Sequence, residues 1–180
     1  MADAKRVPIF LLILNLILYF IVIILATWAV NYGIQTHDEI AYLSTPARIF
    51  PMYFPFGNMA TGFLVIFSLV AGIVGFTTSI TGISNLREWD YPNLLTTAAS
   101  SLTTWFLTLL AMGLACKEIN MGWTDSDYSF PNLTHSNLHA LEACIIILSW
   151  TQLFYVVAIQ AVAGDMHETL TALGSSIGVV

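Results

Sequence analysis

Charge is what this sequence has least of. Only 9% of its 180 residues are Asp, Glu, Lys or Arg, where an ordinary soluble domain carries about a quarter. That excludes a water-soluble globular domain. Lys and Arg together number five and the net charge is −6. Nucleic acid is held through clustered Lys and Arg, so a nucleic-acid-binding role is excluded as well. No polybasic run exists to grip anionic lipid headgroups. Two cysteines do not make a disulfide framework.

What the chain has in quantity is apolar residues, 57% of the total. They fall in four runs, residues 9–31, 58–83, 94–116 and 138–163. Each exceeds the ~20 residues that cross a ~30 Å hydrocarbon core. The reading is one all-α membrane domain over residues 1–180, with outer loops at 32–57 and 117–137. The first run is longer than the apolar core of a signal peptide and lacks an A-x-A cleavage site, so it is expected to stay as a helix. The short segment between the second and third runs dictates an antiparallel hairpin. Lys5, Arg6 and Arg87 against Arg48 and Lys117 give a weak positive-inside bias, which puts both termini in the cytoplasm.

Small and polar residues recur along these runs at alternating steps of four and three, which keeps them on one helix face. The first run carries Asn15, Tyr19, Val22, Ala26 and Ala29. The second carries Thr61, Val65, Ser68, Gly72, Gly75, Ser79 and Gly82; the third Thr97, Ser101, Thr104, Thr108, Ala111 and Ala115. Small seams let helix backbones approach closely, so the four helices should form a left-handed bundle crossing at about +20°. In the fourth run Glu142, Ile146, Ser149, Leu153, Val156 and Gln160 follow the same steps, with Gln152 beside them. Residues past Gly164 read as a frayed tail.

Residues 50–62, F-P-M-Y-F-P-F-G-N-M-A-T-G, are too apolar for a loop and too rich in proline for a helix. Irregular backbone is not tolerated against lipid. The segment is therefore expected to fold over the outer mouth as a lid, ending at an Asn58 cap. Asn93 is the expected cap of the third helix. The sequon Asn132-Leu133-Thr134 lies in the third loop, on the outer side in this orientation.

Chemistry is sparse. No nucleophile–base pair, phosphate-binding glycine loop or CxxC motif occurs, so no catalytic residue is assigned and the chain does not read as an enzyme. No cofactor is expected. His135, His139 and Glu142 have metal-like spacing, but His135 precedes the helix and further ligands are missing, so no metal site is expected. Cys116 and Cys144 should be free thiols, since Cys144 lies about 9 Å deeper and bridging requires Cα atoms within ~7 Å. Glu142 sits one turn inside its span and is expected to pair with Lys117 or Arg48, since intramembrane charges usually pair. A binding site for a small acid would draw on Arg48, Lys117, Glu142, Gln152 and Ser101.

Four segments also carry a resemblance. They are L-N-L-I-L-Y-F-I-V at 14–22, Y-F-P-F-G-N-M-A-T-G-F at 53–63, L-L-A-M-G-L-A-C-K-E-I at 109–119 and I-L-S-W-T-Q-L-F-Y at 147–155. Together they resemble the plant AWPM-19-like family. The resemblance touches all four runs and leaves 120–137 unmatched. It implies a plasma-membrane protein induced by abscisic acid, tied to dormancy and to cold or dehydration stress, with abscisic acid uptake proposed for the family. It supplies no catalytic or binding motif. Two functions follow as expectations. One is a facilitator for a small amphipathic acid, abscisic acid by resemblance, working as an oligomer. The other is a non-transport scaffold, adhesion protein or accessory subunit that oligomerises or meets partner membrane proteins through its apolar outer loop.

Overall fold

The computed structural model describes the backbone of residues 2–43, 59–88, 90–121 and 132–177, with side chains over 6–32, 61–88, 90–120, 137–173 and at 175. These residues form four helices: α1 (Ala2–Leu43), α2 (Met59–Glu88), α3 (Tyr91–Met121) and α4 (Asn132–Ile177). Each is long and apolar enough to cross a membrane. α1 packs on α2 and α4, and α3 closes the ring against the same two.

Contacts between neighbours run in opposite sequence directions. Gly72 faces Val22 and Ile23, Gly75 faces Tyr19 and Gly82 faces Leu12. The Thr78 and Thr104 hydroxyls lie 3.1 Å apart, and Asn85 Nδ2 donates to Thr97 Oγ1 at 2.9 Å. Ser149 Oγ donates to the Thr108 carbonyl and Gln152 Nε2 to that of Ser101.

The bundle is inside out relative to a soluble protein. Asn15, Ser68, Thr104 and Thr108 are fully buried, while Phe10, Ile17, Phe106, Trp150 and Phe154 are more than half exposed. That arrangement costs free energy in water and none in lipid, where the outward groups meet hydrocarbon. The seams read from α1, α2 and α3 are buried at every position, including Ser68, Gly72, Gly75, Ser79, Thr97, Thr104 and Thr108. Small residues bring α1 and α2 close enough that a Cβ on Gly75 would overlap the Tyr19 ring.

The structure departs from the sequence reading in four places. On α4 the buried face runs Leu138, Glu142, Ile145, Ser149, Gln152, Val156, Ile159 and Ala163. Ile146 and Leu153 are only partly buried and Gln160 is exposed. The alternation is right but out of phase, because the step from Glu142 is three and not four.

The second departure is the extent of α4. Residues past Gly164 continue as helix to Ile177. No proline interrupts them, and the Thr169 hydroxyl bonds the Asp165 carbonyl at 2.8 Å. The Tyr91 and His167 rings, 5.9 Å apart, tie this extension to the start of α3.

Third, the helices outrun the apolar runs at their other ends: α1 continues past residue 31 to Leu43, α2 past 83 to Glu88 and α3 past 116 to Met121, while α4 begins at Asn132, not 138, and so includes His135. Fourth, α3 starts at Tyr91, so Asp90 and not Asn93 stands before it. Asp90 Oδ1 accepts the Tyr91 N–H at 3.0 Å and the Asp90 carbonyl accepts that of Leu94 at 3.0 Å. Pro92, which has no N–H, is well placed in a first turn that needs none. Asn93 instead donates to Glu88 Oε2 at 2.8 Å across the hairpin. The proline-rich lid, its Asn58 cap and Arg48 lie outside the described residues.

Candidate functional site

Buried polar side chains occupy the bundle axis at two main levels. The deeper one joins three helices. Asn15 Nδ2 on α1 donates to Gln152 Oε1 on α4 at 2.8 Å, and Gln152 Nε2 turns to the Ser101 carbonyl on α3 at 3.4 Å. Both amides are almost fully buried. In hydrocarbon such a bond contributes about 0.6–2 kcal/mol. Asn15 Oδ1 and the nearby Tyr155 hydroxyl have no partner. One turn up α1, the Tyr19 hydroxyl is fully buried with no hydrogen-bond partner.

The second level is at the opposite end of the bundle from the termini. There the Thr61 hydroxyl on α2 donates to Glu118 Oε1 on α3. On α4 Glu142 Oε2 lies 2.9 Å from His139 Nδ1. Glu118 and Glu142 are 5% and 2% exposed and lie on adjoining helices. This end of the bundle is therefore acidic inside. It disfavours an anion and accommodates a proton, a cation or a neutral polar group.

Of the residues proposed from sequence, Gln152 and Ser101 come together, joined by Asn15. Glu142 belongs to the other level, about 15 Å away along α4. Lys117 is exposed and turned away. The expected Lys117–Glu142 ion pair does not form among the described residues; His139, one turn away on the same helix, takes that place. The reason is angular: Lys117 is one residue off the buried face of α3, whereas Glu118 is on it. Glu118 is the residue missed in the sequence. The signal was present, since the steps 97, 101, 104, 108, 111 and 115 continue to 118.

Among the described residues, no group of three or more His, Cys, Asp or Glu side chains is placed to hold a metal ion. Cys116 and Cys144 are free thiols. An open apolar groove of about 580 Å³ lies between α1 and α4 on the lipid-facing side. Phe10, Leu11, Phe154 and Val157 line it, with Arg6 at its rim.

Polar groups on the axis, apolar groups outward and four helices of membrane length together define a multi-pass integral membrane protein. The comparisons with known proteins give that class a family. The AWPM-19-like family model matches residues 13–162, and the chain belongs to that family of plant membrane proteins. It is similar to membrane protein PM19L of rice, Oryza sativa subsp. japonica, with 38% identity over 149 residues, 81% of this chain and 72% of the rice protein. No solved structure matches it.

Proposed function

We propose that this protein sits in the plant plasma membrane, serves the abscisic acid and dehydration or cold response, and facilitates entry of abscisic acid. Family membership supports the setting. The observation that carries the transport reading is the series of polar groups along the bundle, half-buried Asn85 with buried Thr97, then buried Asn15, Gln152 and Ser101, then half-buried Thr78 with buried Thr104, then buried Glu118 and Glu142. Hydrogen-bonding groups inside a membrane span favour a polar or amphipathic passenger. With carboxylates and no described cation facing that passage, the passenger is the neutral, protonated acid and not its anion. That passage does not draw on Lys117, which is exposed; Arg48 lies outside the described residues.

The test is uptake of radiolabelled abscisic acid into proteoliposomes containing only this protein. Saturable uptake above that of protein-free vesicles is expected. Uptake equal to that of empty vesicles defeats the reading.

The bias of Lys5, Arg6 and Arg87 supports cytoplasmic termini. An epitope at the C-terminus should then stay protected from protease added outside intact protoplasts, and its digestion would reverse the topology. One observation favours the second function, a scaffold or accessory subunit. Tyr19 fills the axis against Gly75 with no room to spare, which suits a structural bundle better than a conduit.

A further inference from the structure

Glu118 and Glu142 come from helices that pack on each other and are both buried at the same end of the bundle, yet each uses only one oxygen. Glu118 Oε1 takes the Thr61 hydroxyl and Glu142 Oε2 meets His139. Glu118 Oε2 and Glu142 Oε1 are shielded from solvent and have no partner at all. An unpaired buried acceptor costs about 1–3 kcal/mol, and more when charged. Two anions at the same low-dielectric end of the bundle compound that cost.

Among the described residues, the surrounding groups do not neutralise both. α1 presents Ala29, with Tyr32 near its edge, and α2 presents Thr61. On α3 Lys117 and Cys116 are exposed and turned outward. α4 supplies His139, whose side chain is 48% exposed and lies against Glu142 alone of the two carboxylates. One added proton removes one of the two negative charges. It also makes one unpartnered oxygen a donor, for which the other carboxylate is an acceptor.

We infer that Glu118 and Glu142 form a proton-binding site, one proton held by the pair at the end of the bundle where α3 finishes and α4 begins. The site is independent of whether the protein carries abscisic acid.

The test is infrared spectroscopy of the full chain in lipid nanodiscs at pH 7, where ordinary Asp and Glu side chains are ionised. A carbonyl stretch of one protonated carboxyl, shifting down in D2O, is expected in the native protein. It should vanish in Glu118→Gln and also in Glu142→Gln, because either amide donates to the remaining carboxylate and lets it ionise. A band that survives in either variant overturns the shared site. Should the variants not fold, the native spectrum decides: absence of the band at pH 7 overturns the inference. Its conversion to carboxylate stretches of equal weight as pH is raised supports it.

Discussion

Gly75→Ala should lower the unfolding temperature of the purified protein sharply and reduce its recovery as a monodisperse species. The new Cβ would fall on the Tyr19 ring, meeting three ring atoms at overlapping distance. Those atoms belong to a rigid ring at the centre of the core, so they cannot swing aside as the end of a flexible chain would. Overpacking of this kind costs about 1–3 kcal/mol. The helix-propensity gain of up to ~1 kcal/mol from replacing glycine offsets only part of it.

Gly113→Ala is the control. Nothing lies within 4 Å of a Cβ at that position, so the same change of residue type should leave the unfolding temperature level or raise it. Shrinking the ring in the pair Tyr19→Leu with Gly75→Ala should recover part of the loss. Equal stability of Gly75→Ala and the native protein would mean that α1 and α2 do not approach this closely.

The second large effect is expected at Asn15 and Gln152, and it should be asymmetric. Gln152→Leu leaves the whole Asn15 amide without a partner, because Asn15 Oδ1 has none to begin with. Asn15→Leu leaves Gln152 its longer bond to the Ser101 carbonyl. Orphaning a buried polar group costs about 1–3 kcal/mol, so the Gln152 variant should be the less stable of the two. The double variant removes both partners and should cost less than the sum, with a coupling of about 0.6–2 kcal/mol. Thermal or denaturant unfolding of the four proteins in one detergent measures the cycle. Strict additivity would show that the amides do not act as a pair.

Much of this fold was legible because membrane seams write themselves in residue size. Gly72, Gly75 and Ser79 are small where neighbouring positions are Ile73, Val74 and Ile80, so the buried face of α2 stands out. α4 offered no such contrast at the decisive step. Positions 145, 146 and 147 are all isoleucine, and a step of three or four from Glu142 reads alike. The polarity of Gln152 was the cue to the true phase.

Glu118 was hidden differently. Beside Lys117 at a helix end, it reads as one half of a solvated charge pair, and only the seam arithmetic points it inward. The cap of α3 was ambiguous for a chemical reason, since Asp90 and Asn93 both cap well and the proline between them does not choose. The joining of Asn15 to Gln152 lies across 137 positions of sequence, and no periodicity reports which of four helices stand opposite each other.

α4 has a mechanical consequence. Its 46 residues extend about 70 Å at 1.5 Å per residue, more than twice the ~30 Å hydrocarbon thickness. Gln152 lies near the middle, pinned to α1 and α3. Its face from Leu138 to Ala163 is buried in the bundle, so the helix is a rod clamped over about 38 Å. The arm from Ala163 to Leu173 projects about 15 Å past that clamp, steadied where His167 meets Tyr91. Gly164, with open space around it, is the point at which that rod bends most easily.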